Sequence, residues 1–314
     1  KIFQRKYLMK NYLITGGCGF IGQHLAKELL KSKCKVDLID LPNKKNSIVS
    51  NNLRFFKGDV SKITIFKKLN KKYDVAFHLA AQTSSRLSEI NNKNDINNNI
   101  LGSLNFCEWA KKTRPGRVVF TSSMAVYGDS KKKFKEDNIC NPKSIYGMSK
   151  LYSEKLFQRL MMQKIKVTIF RLFNIYGPGQ DLNNLYQGMF SIYLAQALNK
   201  NKIDVTGSLN RYRDFVYIAD TVKGLLINPR NKKNWLLNLG TGKKTYVKQV
   251  IKLIKSILRN KKIKISVSKS TFEDTWGSYA DISKIKSEGW RPKFNLEKGA
   301  KLTINKINEK KKFS

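Results

Sequence analysis

Thr15-Gly16-Gly17-Cys18-Gly19-Phe20-Ile21-Gly22 decides how this chain is read. The stretch follows a short apolar run, Tyr12-Leu13-Ile14, with the character of a strand. It opens a segment in which Ile21, Leu25 and Leu29 share one helical face. Glycines between a strand and a helix permit a tight turn and close backbone approach to a pyrophosphate. The helix N-terminus adds N–H groups and partial positive charge. Val36-Asp37-Leu38-Ile39-Asp40 then reads as a second strand ending in an acid. An acid about 20 residues beyond such a motif can bind ribose hydroxyls. A ligand-free glycine turn is the plainer alternative, but strand, helix and acid together favour a dinucleotide.

The chain has 314 residues, enough for one large or two modest domains. No apolar run is long enough to span a bilayer, and residues 1–8 are basic without a signal-peptide core. Met9 is a candidate natural start. Cys18, Cys34, Cys107 and Cys140 show no CxxC or zinc spacing, so reduced thiols, no metal and a cytoplasmic location are expected. The formal net charge of +40 invites a nucleic-acid partner. Its lysines are spread along the whole chain among asparagines and isoleucines, as AT-rich coding produces. No nucleic-acid module accompanies them, so only weak nonspecific contact with polyanions is expected. Lys131-Lys132-Lys133 reads as a solvated loop.

Strand and helix patterns alternate through the first half, which argues for a parallel sheet with helices on both faces. Strands are expected at Leu53 to Phe56, Val75 to Ala81, Arg117 to Phe120 and Val167 to Leu172. The apolar Val75 run should be central. Helices are expected from Ile96 to Lys111, Ile145 to Gln163, Met189 to Leu198 and Val247 to Leu258. Arg211 to Asp220 reads as strand and turn, and the remainder as short strands and loops. Residues 9–175 are expected to form the dinucleotide-binding domain, with 214–245 returning to it. Residues 176–213 and 246–314 would form a smaller substrate-binding region over the strand ends.

The fifth strand runs into Thr121-Ser122-Ser123-Met124, and a later helix opens with Tyr146-Gly147-Met148-Ser149-Lys150. Tyr146 and Lys150 are four apart and share a face. An ammonium beside a phenol should lower the phenol's pKa and fit it for proton transfer, with a nearby serine sharing the proton. His24, His78, Trp109, Trp235, Trp276 and Trp290 read as structural or packing residues.

With these pieces in order, the chain resembles the extended short-chain dehydrogenase/reductases, in the branch of nucleotide-sugar epimerases and dehydratases. The resemblance runs from Lys10 to about Ala300. It rests on TGGCGFIG at 15–22, VDLID at 36–40, HLAAQ at 78–82, SSMAVYG at 122–128, YGMSK at 146–150, RLFNIYGPGQ at 171–180, RDFVYIAD at 213–220, NLGTG at 238–242 and YADISK at 279–284. It implies a Rossmann-type doubly wound parallel sheet and bound NAD. Gly16, Gly19, Phe20, Ile21 and Gly22 would hold the pyrophosphate. Asp40 would bind the ribose, with Asn43 nearby, and Asp59 and Val60 would border the adenine. Leu79, Ala80 and Ala81 would line the cofactor channel, with Asn99 at its edge and Phe173 beside the nicotinamide amide. Ser123, Tyr146 and Lys150 would be catalytic, Tyr146 as acid/base and Lys150 also holding the nicotinamide ribose. Asn174 and Arg213 would bind the substrate diphosphate, and Asp274 would complete that pocket.

The chain departs from many epimerases at Ser270-Thr271-Phe272-Glu273, which lacks the arginine and glycine that precede the aspartate. It departs from dehydratases at Met124, where they place a carboxylate. The resemblance therefore implies a UDP-hexose 4-epimerase acting by transient C4 oxidation, ahead of a 4,6-dehydratase, a 4-keto-sugar reductase or a non-catalytic dinucleotide-binding scaffold. Asp40 favours NAD over NADP despite Lys44 and Lys45. Apolar residues on more than one face of the Ile96 and Tyr146 helices call for a second partner besides the sheet, and the resemblance implies that this partner is another subunit, giving a homodimer. Neither a membrane nor a specific nucleic acid is an expected partner.

Overall fold

Leu13 and Ile14 are neighbours in one strand, both fully buried, yet they belong to different cores. A sheet covered on both faces produces this, and it explains the continuous apolar runs. The computed structural model describes residues 10–231, 235–271 and 275–312. In chain order the sheet begins with β1 (Lys10–Thr15), β2 (Cys34–Asp40), β3 (Leu53–Lys57), β4 (Val75–His78), β5 (Val118–Ser123) and β6 (Val167–Leu172). The short strands β7 (Asn174–Tyr176), β8 (Lys202–Thr206), β9 (Tyr212–Arg213) and β10 (Phe215–Tyr217) precede its last member, β11 (Leu236–Leu239). β12 (Thr245–Tyr246) and β13 (Lys264–Ser268) follow.

The seven-stranded order is β11-β6-β5-β4-β1-β2-β3, every pairing is parallel, and β4 is central. The direction of winding reverses between β1 and β4. Crevices for ligands form there, outside the carboxyl ends of the strands. The smaller pairs β7–β10, β9–β12 and β8–β13 lie outside the main sheet.

The helices are α1 (Phe20–Leu29), α2 (Thr64–Lys67), α3 (Ser85–Ile90), α4 (Asn92–Asp95), α5 (Gly102–Thr113), α6 (Ile145–Met162), α7 (Met189–Lys200), α8 (Ile218–Leu226), α9 (Val247–Ile257), α10 (Ser283–Ser287) and α11 (Leu296–Lys312). α5 and α6 cover one face through Phe106, Trp109, Phe157 and Leu160. α1 and α8 cover the other through Leu25, Leu29, Val222 and Leu225. Among the described residues no helix is long and apolar enough to cross a membrane.

Four expectations from the sequence need correction. The fourth strand stops at His78, so Leu79, Ala80 and Ala81 lie in the loop beyond it. The Ile96 helix is not α-helical throughout: Ile96–Leu101 is a π-helical stretch, and α5 begins at Gly102. Asn99 sits in that wider turn with its side chain bonded inside the protein, a polar demand that periodicity does not register. The strand-and-turn reading of Arg211 to Asp220 fails at Ile218, where α8 begins; Ile218, Val222 and Leu225 bury one face. The end of the chain is not only strands and loops. α11 buries Ala300, Thr303 and Ile304, a stripe diluted by surrounding lysines.

α6 is seated on the sheet by aromatic packing. Phe157 is fully buried and stacks on Phe120 of β5, with ring centroids 4.2 Å apart and planes 12° from parallel. Phe157→Ala should cost about 3–5 kcal/mol through lost contact and the cavity left behind. Chemical denaturation should report that loss, and a change below about 1 kcal/mol would show that α6 is held by something else.

Candidate active site

Thr15, Asp40, His78 and Ser123 end β1, β2, β4 and β5 in turn, so parallel register brings them to one edge of the sheet. At that edge the glycine turn is tightly packed. Gly16 has φ +70°, its N–H donates to the Ile39 carbonyl at 2.8 Å, and a Cβ there would sit 2.7 Å from the Ala80 nitrogen. A Cβ at Gly22 would strike the Gly16 carbonyl oxygen and lie 2.8 Å from the Gly17 Cα. Only glycine fits either position. Gly19 caps α1 without a side-chain hydrogen bond, so the first N–H groups of α1, at Phe20, Ile21 and Gly22, face the turn. Such a helix end is a ready anion site.

The rest of the expected cofactor groove follows the same edge. The Asp40 carboxylate accepts from the Cys18 and Leu41 N–H groups, each at 2.8 Å, which ties the acid to the glycine turn. Asn43, Lys44 and Lys45 are exposed in the following turn. Asp59 accepts from Ser61 N–H at 2.8 Å, and Val60 is buried against Gly102. Leu79 N–H donates to the Thr15 carbonyl at 3.2 Å, and Ala80 N–H reaches the Thr15 hydroxyl at 3.3 Å; half-buried Ala81 follows. The cradle a Cβ would fill, the uncapped helix end and the anchored acid together fit a dinucleotide. Gly16 to Gly22 would hold its pyrophosphate and Asp40 a ribose.

His78 braces this groove from beneath. Its Nδ1 lies 2.8 Å from the Thr15 hydroxyl and its Nε2 3.3 Å from that of Ser103. Burial, then Lys150, pushes its pKa down to about 3, so it stays neutral. His24 lies 2.8 Å from the Pro178 carbonyl. Asn99 is buried and turned inward. Its amide oxygen accepts from Gln82 N–H at 2.9 Å; its amide nitrogen donates to the Gln82 carbonyl, Asp95 and the Ser149 hydroxyl.

Ser123, Tyr146 and Lys150 are brought together where α6 crosses the end of β5. Ser144 caps α6 by accepting from Gly147 N–H at 3.1 Å, which fixes the first turn and with it Tyr146. The Ser123 hydroxyl accepts from Ala125 N–H at 3.2 Å and stands near enough to the Tyr146 phenol to favour its ionised form. The Lys150 ammonium donates to the Thr121 carbonyl at 2.8 Å and lies 4.9 Å from the Phe120 ring centre.

The expected effect of Lys150 on the phenol is overridden in this geometry. Burial pushes Tyr146 up to about 12, against the pull of the Ser123 hydroxyl. Burial pushes Lys150 down to about 7, against the nearby carboxylates of Glu154 and Asp95. Sequence spacing placed the charge but could not weigh its desolvation.

Phe173 is buried, its N–H bonded to the Leu239 carbonyl at 3.1 Å. Asn174 opens β7 and bonds the Asp214 carbonyl through its amide at 3.3 Å. Arg213 is buried, and its guanidinium donates to the carbonyls of Tyr212, Thr275 and Trp276. Asp274 lies outside the described residues. Among those residues no three His, Cys, Asp or Glu side chains gather to hold a metal ion.

Sequence reasoning missed Gln82, Asp95 and Glu154. Asp95 is fully buried and accepts from Gln82 at 3.0 Å. A signal for Glu154 was available in Arg171, a cation inside the apolar strand Val167-Thr168-Ile169-Phe170-Arg171-Leu172. A buried guanidinium needs partners for its charge and its donors, and an acid supplies both.

Residues 12–240 match the model of the NAD dependent epimerase/dehydratase family. A protein of Methanocaldococcus jannaschii, provisionally named a UDP-glucose 4-epimerase, is 34% identical over 302 residues, covering 93% of this chain and 97% of that protein. A UDP-glucuronate 4-epimerase of Thermodesulfobacterium geofontis is 28% identical over 317 residues, covering 95% and 96%. The solved UDP-glucose 4-epimerase of Thermotoga maritima, with UDP-glucose, superposes with a TM-score of 0.89 at 30% identity, covering 96% of this chain and 99% of that one. The glycine cradle, the Ser123–Tyr146–Lys150 cluster and these likenesses agree, and the chain belongs to the NAD-dependent epimerase/dehydratase family.

Proposed function

We propose that this chain is an NAD-dependent nucleotide-sugar 4-epimerase with a UDP-hexose as substrate. The observation that carries this reading is the joint burial of Ser123, Tyr146 and Lys150 on the sheet edge that holds the glycine turn. The solved epimerases with UDP-glucose and with NAD support it.

NAD, held by Gly16 to Gly22 and Asp40, would supply a reversible acceptor for the C4 hydride of the sugar, so the cycle is redox-neutral. Tyr146 acts as the phenolate, which the positive charges of Lys150 and of a bound nicotinamide would favour against burial; in that form it takes the proton of the C4 hydroxyl and later gives it back. Ser123, beside the phenol, orients the same sugar oxygen. Lys150 supplies positive charge beside the proton path and a donor for the nicotinamide ribose. The 4-keto sugar turns over in the pocket between the two transfers. Asn174 and Arg213 hold the diphosphate, Arg213 with a planar fork suited to phosphate oxygens. Met124 follows Ser123 and cannot protonate a leaving hydroxyl, which disfavours elimination of water.

Residues 9–175 with 214–245 serve as the cofactor domain in this reading, and the remainder as the substrate region. The chain works as a homodimer joined through α5 and α6. Leu101, Leu104, Met148 and Tyr152 leave large apolar side chains exposed there, a second apolar face that needs a partner. The four free cysteines fit a cytoplasmic location.

Three outcomes are expected. NAD should bind at least about tenfold tighter than NADP, because Asp40 repels a 2′-phosphate; about 1.4 kcal/mol suffices. Titration calorimetry giving equal or reversed affinities would contradict the role of Asp40. Tyr146→Phe should keep NAD binding and fold while lowering epimerisation about 10²–10⁴-fold. Ser123→Ala should cost less, and Lys150→Ala should weaken NAD binding as well. Near-normal turnover by Tyr146→Phe, with products followed by NMR across a panel of nucleotide sugars, would remove the proposed acid/base. Sedimentation at micromolar concentration should give a dimer that Leu104→Lys with Met148→Lys dissociates, and a wild-type monomer would end the dimer proposal.

A further inference from the structure

Tyr146, Lys150 and Glu154 are four apart and form one stripe along α6. Three consecutive residues at the end of β5 meet that stripe, one each. The Ser123 hydroxyl stands near the Tyr146 phenol and favours its ionised form. The Thr121 carbonyl accepts from the Lys150 ammonium at 2.8 Å. Ser122, which lies between these two on the strand, reaches one helical turn beyond Lys150, where its hydroxyl donates to Glu154 Oε1 at 2.5 Å. Two rungs of this ladder use the groups assigned to chemistry. The third uses a carboxylate 1% exposed that no step of the reaction needs.

Glu154 is itself held from the next strand. Arg171 of β6, paired in register with Ser122, donates from Nε to Oε1 at 2.9 Å and from Nη2 to Oε2 at 2.8 Å. Arg171 also donates to the Glu136 carbonyl at 3.2 Å and lies 4.6 Å over the Tyr127 ring. A buried ion pair is a poor device for stability alone, since apolar residues of similar volume often do as well. This one sets the direction of a hydrogen bond to the residue beside Ser123.

We infer that Glu154 is a positioning residue: through Ser122 it fixes the end of β5, and with it Ser123 and the Thr121 carbonyl, against the helix that carries Tyr146 and Lys150. The inference rests on the assignment of Ser123, Tyr146 and Lys150 as the reacting groups. Glu154 also acts on charge. The titratable and charged groups around Lys150 are Tyr146 and Glu154 on its own helix, Asp95 before the π-helical stretch, His78 at the end of β4, and Arg171 behind Glu154. Burial drives the ammonium toward its neutral form, and the carboxylates of Glu154 and Asp95 oppose it.

Ser122→Ala removes the rung and leaves the Glu154–Arg171 pair in place. It should lower kcat for epimerisation about tenfold with KM and melting temperature unchanged, a small misplacement by the standard that about 1 Å can cost 10²-fold. Glu154→Leu with Arg171→Met removes both charges and should show the same kcat loss in a folded protein. Unchanged kcat in both variants overturns the inference. Glu154→Gln should move the titration midpoint of Lys150, followed by NMR of its ¹³Cε, to lower pH; Ser122→Ala should leave it nearly in place. If the wild-type protein epimerises no sugar in the panel, the functional reading falls and this titration alone decides. A downward shift upholds the placement of Glu154 against Lys150, and an unmoved midpoint overturns it.

Discussion

The Lys150 ammonium, 3% exposed and 2.8 Å from the Thr121 carbonyl, is the interaction on which the site depends. A charge taken out of water is costly unless hydrogen bonds and opposite charges replace the solvent. Here the replacement comes from a strand-end carbonyl and from two buried acids, one on α6 and one from the segment before α5. Each of these must be in place at once. That requirement explains why α6 is pressed onto β5 by stacked aromatics rather than held loosely. The hydroxyl residues that end β5, all buried in a strand otherwise apolar, serve other partners: Thr121 donates to the His78 carbonyl, Ser122 to Glu154, and Ser123 accepts from Ala125 N–H.

The same edge of the sheet imposes a second constraint of a different kind. At the glycine turn the difficulty is space, not charge. The backbone of β1's following turn, the start of α1 and the loop after β4 approach so closely that a single Cβ would collide. Asp40, bonded to the turn's own Cys18 N–H, then places a carboxylate where a ribose would lie. Space at one end of the crevice and buried charge at the other would give one cofactor two fixed points. The parallel sheet sets the distance between them.

The two constraints differ in how well they can be read from sequence. Close approach leaves glycines in a row, and the proton-transfer pair we propose leaves a tyrosine and a lysine four apart. Both were legible, and so was most of the parallel sheet, whose strands are apolar throughout. The supporting groups were not. Asp95, Gln82 and Glu154 are single polar residues whose meaning depends on partners far along the chain. The π-helical turn at Asn99 depends on side-chain hydrogen bonds, which hydrophobic spacing does not record. α11 was hidden because its buried stripe is short and sits among lysines and asparagines. The balance of burial against charge at Tyr146 and Lys150 was reversed for the same reason: spacing reveals neighbours, not the solvent they lose.

The central claim is that the hydride leaving C4 returns to C4 while Tyr146 handles only the hydroxyl proton. A nucleotide sugar deuterated at C4, incubated with the purified protein and followed by NMR, tests this most directly. The account predicts that the epimer retains its deuterium at C4 in ordinary water. Epimer carrying solvent protium at C4 would contradict it, because C4 would then have exchanged as an acid and not as a hydride donor.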